Sequence, residues 1–127
     1  PYDVVIVGGG PAGLAAAMAD GYENFVVIMT RPRSSRKGPP SRPQFYQRYF
    51  HDYPTVAEAL TKRWIHYSRT RDQLFELERQ GRAWLYFPEK MLVSNHEKNV
   101  AKLQANYDAG ERQITRIWPN LARFLEL

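Results

Sequence analysis

The sequence predicts an α/β fold, with a βαβ Rossmann-like opening, a short parallel sheet and a mainly helical C-terminal part. Residues 3–7 and 25–29 are apolar, β-branched runs of the kind that forms strands buried on both faces. A glycine-rich turn and a stretch of strong helix formers separate the two runs, which is the pattern of a parallel βαβ unit. The 127 residues, 43% of them hydrophobic, are enough for one domain over 1–127.

Glycine and proline mark the ends of the predicted helices. A first helix over residues 12–20 follows a proline, whose fixed φ suits a first helical position, and stops at a glycine. A short helical segment over 44–53 leads to a longer helix over 55–80, which Pro54 opens and Gly81 closes.

A third candidate strand, 82–87, precedes a last helix that Asn99 can cap. We expect Pro119 to kink this helix. Apolar residues recur along it at steps of three and four, which predicts one core-facing stripe: Val100, Leu103, Tyr107, Ile114, Ile117, Leu121 and Phe124. The same argument places the three tryptophans in the core: Trp64, Trp84 and Trp118.

Composition excludes several kinds of chemistry. The chain has no Cys, so disulfides, thiolate metal sites and cysteine nucleophiles are excluded. The three histidines lack the paired spacing of a metal site, and we predict no metal.

No apolar stretch approaches the roughly 20 residues that cross a bilayer, and we expect a cytoplasmic protein. The net charge of +5 permits an anionic partner without requiring one.

The glycine-rich turn has the GxGxxG spacing at Gly8, Gly10 and Gly13, between a predicted strand and a predicted helix. In such turns the first glycine allows the tight bend, the second allows a pyrophosphate to approach, and the third allows close packing of the helix on the strand. The first seventeen residues resemble the N-terminal fingerprint of FAD/NAD(P)-binding Rossmann oxidoreductases. That resemblance implies FAD or NAD(P) as cofactor.

The ribose contact expected of such a site is missing. Dinucleotide-binding folds carry an acid at the end of the second strand, but Thr30 and Arg31 stand there. Arg31 could instead contact a 2′-phosphate, or it could simply open the basic loop that follows. Cofactor binding through Gly8, Gly10, Gly13 and Arg31 therefore stays an alternative.

From Met18 onward the chain resembles the C-terminal third of bacterial patatin-like phospholipases. The resemblance rests on the order and spacing of short stretches over about 110 residues, which include residues 17–32, the Arg36-Lys37 loop, the Tyr53-Pro54 pair, the helix ending at Gly81, Phe87-Pro88 and residues 91–94. It implies a three-layer lipid acyl hydrolase with a Ser/Asp dyad. The two resemblances meet near residues 15–18, as in a chimera or a fragment with a replaced opening.

The dyad of that family cannot be written for this chain. None of the five serines has the flanking glycines of Gly-x-Ser-x-Gly. The Asp-Gly-Gly of the family would fall near residues 5–7, where no Asp stands, and we assign no catalytic residue. Our main interpretation is a patatin-like C-terminal region without hydrolytic machinery. The alternatives are a dinucleotide-binding unit and a structural or membrane-docking domain.

The segment from Arg31 to Arg48 carries six basic residues and no acid, and it runs into Phe45, Tyr46, Tyr49 and Phe50. Basic residues beside aromatic rings suit an anionic lipid surface, and we predict no nucleic-acid partner. The more common arrangement is a solvated loop followed by a helix that packs its rings into the core. We keep the lipid surface as the candidate partner because of the family resemblance.

Overall fold

The sheet has three strands in the order β1 (Val5–Val7), β2 (Phe25–Ile28) and β3 (Ala83–Tyr86). The computed structural model describes residues 5–7, 18 and 21–127. Both strand pairs are parallel, with Val26 opposite Val5 on one side and Trp84 on the other. The predicted α/β class and parallel sheet are confirmed. The predicted helix over 12–20 lies outside the described residues except for Met18.

Two helices connect β2 to β3, α1 (Pro43–Tyr49) and α2 (Pro54–Arg79). Pro54 stands in the first turn of α2, where its missing N–H costs no hydrogen bond. At the other end Gly81, with φ of 74°, donates to the Glu78 carbonyl while Arg82 donates to the Leu77 carbonyl. This Schellman arrangement turns the chain directly into β3 and confirms Gly81 as the helix stop.

The core lies between β2 and the C-terminal half of α2. Alternate β2 side chains share one face of the sheet, so Phe25, Val27 and the following Met29 point the same way. They pack with Leu74 and Leu77 of α2 and with one β3 residue, Ala83. This cluster therefore lies between one sheet face and the C-terminal half of α2, while Val26, on the opposite face of β2, is also buried.

The last helix, α3 (Val100–Phe124), begins as predicted at Asn99, whose Oδ1 accepts a hydrogen bond from the Lys102 N–H at 3.2 Å. Pro119 lies inside this helix, which continues beyond it to Phe124. Its predicted core stripe is only partly buried, because Val100, Leu103 and Tyr107 are exposed while Leu121 is buried. No helix in the described part of the chain is long and apolar enough to cross a membrane.

Candidate functional site

The candidate site lies at the edge of the sheet where the parallel strands end, since ligands of open α/β sheets bind outside the carboxyl ends of strands. Of the residues predicted from sequence, Gly8, Gly10 and Gly13 lie outside the described residues. Arg31 is described, and its side chain is exposed just after β2. Arg31 thus lies at the edge of the sheet where the parallel strands end. Its role in cofactor binding remains a prediction.

A cleft of about 580 Å³ opens at this edge between the strand ends and α3. Met29 and Thr30, which directly follow β2, line one side of it, and Tyr86 lines it from the end of β3. The side of α3 contributes two basic residues, Arg112 and Arg116. A mixed polar and cationic lining of this kind suits a small anionic or zwitterionic group.

Gln113 joins α3 to the end of β3. Its Oε1 accepts one hydrogen bond from the Tyr86 hydroxyl and another from the Glu89 N–H, both at 3.1 Å. Its Nε2 donates to the Phe87 carbonyl at 2.7 Å. One amide side chain therefore uses both its acceptor and a donor to hold the middle of α3 against the segment after β3.

Tyr86 and Glu89, which both donate a hydrogen bond to Gln113, also interact electrostatically with each other. Burial raises the pKa of the Tyr86 phenol above its ordinary value, and the negative charge of Glu89 raises it further. Glu89 also forms an ion pair with Arg116 of α3. Deprotonation of Tyr86 would place a second negative charge beside Glu89, so the neutral phenol is the form that this site favours.

Three arginines meet beside the cleft around two stacked rings, Phe75 and Phe87, whose centroids are 5.8 Å apart. We call this group the arginine cluster, formed by Arg33, Arg36 and Arg71. The guanidinium carbons of these residues lie 4.9, 5.9 and 5.3 Å from the centroid of the Phe75 ring. Cation–π attraction of this kind keeps a guanidinium over a ring face.

Arg33 is the member with a carboxylate partner. Its Nη1 donates to Glu78 Oε1 at 3.0 Å, and its Nη2 contacts Oε2 of the same carboxylate. The hydrogen bonds to Glu78 raise the pKa of the Arg33 guanidinium above its ordinary value. It also ties the loop after β2 to the last turn of α2.

Arg71 is buried, with 2% of its surface exposed, and it has no carboxylate partner in the described part of the chain. Its Nη2 donates to the Arg33 carbonyl at 2.6 Å. Its Nε and Nη1 are buried and have no hydrogen-bond partner among the residues that the structure describes. Since buried donors are nearly always paired in folded proteins, these two atoms mark a position where an acceptor is expected.

Sequence reasoning missed Arg71, although a signal for it existed. Arg71 lies three residues before Leu74 and four before Phe75, and so shares their face of α2. An arginine on the apolar stripe of a helix is rarely buried without a reason. Arg33 gave no such signal, because its ring partners are more than 40 residues away in the sequence.

A second candidate surface is the aromatic patch, which we define as Phe45, Tyr49 and Tyr53. These side chains are exposed by 59, 69 and 67%. Phe45 and Tyr49 stack with ring centroids 5.7 Å apart, as residues four apart on α1 can do. The patch overlaps the end of the basic segment, residues 31–48, because Phe45 lies within it and Tyr49 and Tyr53 follow it.

The arrangement that sequence reasoning considered more common is wrong for these rings. A helix that packs its aromatic residues into the core would bury them, but α1 contains no buried residue. Tyr46 and Phe50 are half-buried, and Phe50 lines a shallow cleft against the first turns of α2. Trp118 is likewise exposed, contrary to the core expectation, while Trp64 and Trp84 are half-buried.

The remaining candidate side chains do not converge. His51 lies beside Asp52 in the turn before α2, and His66 is exposed in the middle of that helix. Ser68 donates to the Trp64 carbonyl at 2.9 Å, within its own helix. Among the described residues, no group of three His, Cys, Asp or Glu side chains is arranged to hold a metal ion.

A sequence-family model described as Domain of unknown function (DUF6363) matches residues 53–126, more than half of the chain. The chain belongs to this family. The DUF6363 match covers α2, β3 and α3, and so includes Arg71, both stacked rings and Gln113. It leaves out β1, β2 and the basic segment. No curated protein and no solved structure matches the chain.

Proposed function

We propose that this DUF6363 chain is a non-catalytic part of a patatin-type lipid acyl hydrolase that docks on anionic lipid surfaces. Two observations support the association. The chain from about residue 17 onward resembles the C-terminal third of bacterial patatin-like phospholipases, and domains of this family are often found C-terminal to patatin domains. The missing Gly-x-Ser-x-Gly and Asp-Gly-Gly motifs support a role outside the chemical step.

The observation that carries the docking role is the exposed aromatic patch beside an acid-free basic segment. Aromatic rings are favoured at the headgroup level of a membrane, where their apolar bodies leave water and Tyr hydroxyls stay hydrated. Each basic residue near an anionic leaflet contributes about 1 kcal/mol. Six such residues stand between Arg31 and Arg48; Arg33 is already paired with Glu78, and the other five share one segment with the exposed rings.

Vesicle sedimentation tests this proposal. The chain should bind vesicles of phosphatidylcholine mixed with phosphatidylglycerol and should bind pure phosphatidylcholine weakly. The double variant Phe45→Ser/Tyr49→Ser should lose most of the binding, because both rings are exposed and their removal opens no cavity in the core. Val100→Ser is the matched control, since Val100 is 78% exposed on α3, away from the basic segment in the sequence. Equal loss in both variants would contradict docking through the patch.

The non-catalytic role has its own test. The purified chain should hydrolyse a short-chain nitrophenyl ester no faster than buffer does. Turnover that persists through repeated purification and disappears on substitution of a single serine, such as Ser34 or Ser94, would contradict it.

A second candidate function is weak dinucleotide binding at the glycine-rich turn. The parallel pairing of β1 with β2 favours it, because such a site needs adjacent parallel strands around the turn. Without an acid after β2, we expect phosphate contacts to outweigh ribose contacts, and binding of FAD, NAD and NADP to weaken with salt. Calorimetric titration at two salt concentrations tests this, and tight, salt-insensitive binding of NAD would favour a complete cofactor site over the lipid-docking role.

A further inference from the structure

The arginine cluster holds more positive charge than the described residues neutralise. Among the described residues, its three guanidinium groups have one carboxylate partner, that of Glu78, which pairs with Arg33. The charges of Arg36 and Arg71 have no carboxylate partner in this part of the chain. Repulsion among like charges gathered around one ring is unfavourable. For a buried charge, water screens this repulsion only weakly.

The hydrogen bonds draw the guanidinium groups together. The carbonyl oxygen of Arg33 accepts from Arg71 Nη2 at 2.6 Å and from Arg36 Nη1 at 3.0 Å. Two cationic groups therefore approach the same oxygen atom. The buried Nε and Nη1 of Arg71 have no acceptor among the described residues. The cluster therefore combines several guanidinium donors in one place, which is the donor set that binds oxyanions.

A cleft beside the cluster offers room for the rest of a ligand. It measures about 430 Å³, and Arg33 is the member of the cluster that lines it, together with the ring of Phe87. Leu85 and Ile117 add apolar lining, and Glu89 adds one carboxylate. The side chain of Arg33 is 54% exposed, so a ligand reaches the cluster from the solvent side of this residue.

We propose that the arginine cluster binds the phosphoryl group of a phosphate monoester, with the organic part of the ligand in the adjoining cleft. A phosphate monoester carries close to two negative charges at neutral pH, which matches the excess of the cluster, whereas a carboxylate carries one. Guanidinium groups recognise phosphate oxygens through several charge-assisted hydrogen bonds at once. The ligand is either a soluble phosphate ester or a lipid with a phosphomonoester headgroup.

Calorimetric titration with inorganic phosphate and with phenyl phosphate tests the site without any membrane. Both should bind, and phenyl phosphate should bind more tightly because its ring occupies the apolar cleft. Arg36→Gln should weaken both by about tenfold, the loss expected for one charge-assisted hydrogen bond. Arg42→Gln is the matched control, with the same change of charge in the same segment but outside the cluster, and it should bind as the unchanged chain does.

Arg71→Met extends the test to the buried member, and its fold is checked by circular dichroism before titration. It should abolish phosphate binding. The absence of phosphate binding to the unchanged chain, or equal weakening by Arg36→Gln and Arg42→Gln, would overturn the proposal. Equal weakening would mean that general charge attraction, rather than a built site, holds the anion.

Vesicles identify the source of the phosphoryl group. Phosphatidic acid presents a phosphomonoester, whereas phosphatidylglycerol presents a diester, and the two are compared at equal surface charge. A preference for phosphatidic acid that Arg36→Gln removes identifies a lipid headgroup, while phosphate binding with no lipid preference identifies a soluble ester. The Phe45→Ser/Tyr49→Ser variant should retain phosphate binding, so failure of the docking role and failure of the phosphate site are distinguishable.

Discussion

Helices α2 and α3 differ in burial although their lengths, 26 and 25 residues, are nearly equal. Helix α2 buries five residues, and its C-terminal half covers one face of the sheet. Helix α3 buries Leu121 alone, near its C-terminal end. The sequence of α3 is nevertheless the more regularly amphipathic of the two, with apolar residues at steps of three and four. An amphipathic pattern thus predicts a helix reliably without predicting what covers its apolar face.

Polar contacts in the middle of α3 hold this helix against the end of β3 and the segment that follows it. Gln113 ties it to the segment after β3 through three hydrogen bonds, and Arg116 pairs with Glu89. These contacts are polar, unlike the apolar contacts of Leu74 and Leu77 in α2. We therefore expect α2 and the sheet to unfold as one unit and the first turns of α3 to open more easily.

The largest expected difference in the free energy of unfolding is between two Leu→Ala variants, one in α2 and one in α3. Leu74→Ala should lower the free energy of unfolding by about 3 kcal/mol, because it opens a cavity at the centre of the core. Leu103→Ala should change it by less than about 0.5 kcal/mol, since this side chain is exposed. Urea denaturation followed by circular dichroism measures both values. A loss for Leu103→Ala as large as that for Leu74→Ala would mean that the first half of α3 is covered.

A pair of glycine substitutions should move stability in opposite directions. Gly81→Ala should cost about 1 kcal/mol, because Gly81 has a positive φ at the end of α2. Gly110→Ala should stabilise α3 by about 0.5–1 kcal/mol, since Gly110 lies inside a helix and an added Cβ meets no atom within 4 Å. Thermal denaturation gives the signs. Two changes of the same sign would contradict this description of the end of α2 and the interior of α3.

Removal of the cap of α3 should have a local effect. Asn99→Ala removes the acceptor of the Lys102 N–H and should destabilise the first turn by about 1 kcal/mol. Hydrogen exchange should become faster for the amides that follow Asn99 and stay unchanged in β2 and in the C-terminal half of α2. Faster exchange throughout the core would show that α3 unfolds together with the sheet.

The sequence predicted those parts of the fold that depend on short-range signals. The β-branched runs marked β2 to within one residue, and Gly81 and Asn99 marked helix ends, because the backbone conformations at these positions depend on one or two neighbours. The arginine cluster was not predicted, because it depends on contacts among Arg33, Arg71 and Phe87, which lie in the loop after β2, in α2 and just after β3. For the same reason, the sequence left open whether the α1 rings are exposed or packed in the core. Periodicity shows which residues share a face and leaves open what that face contacts.

The smallest expected effect concerns Tyr86, at the joint between the sheet and α3. The folded-state pKa of its phenol is raised above the ordinary value of 10.0 by burial first and by the Glu89 charge second. A raised pKa means that the folded state holds this proton more tightly than the unfolded state does. The contribution of Tyr86 to stability is therefore fully present below the unfolded-state pKa and is lost as pH rises through the folded-state pKa.

Comparison of the unchanged chain with Tyr86→Phe isolates this contribution from that of the other seven tyrosines. The variant should be slightly less stable at neutral pH, because the Gln113 Oε1 loses one donor. The deficit should shrink as pH rises through the folded-state pKa, since only the unchanged chain loses the contribution of Tyr86. Glu89→Gln should bring the phenol titration of Tyr86 closer to its ordinary range by removing the second cause. A deficit that stays constant across this range would mean that Tyr86 titrates as an exposed tyrosine does, and that α3 does not keep water from the end of β3.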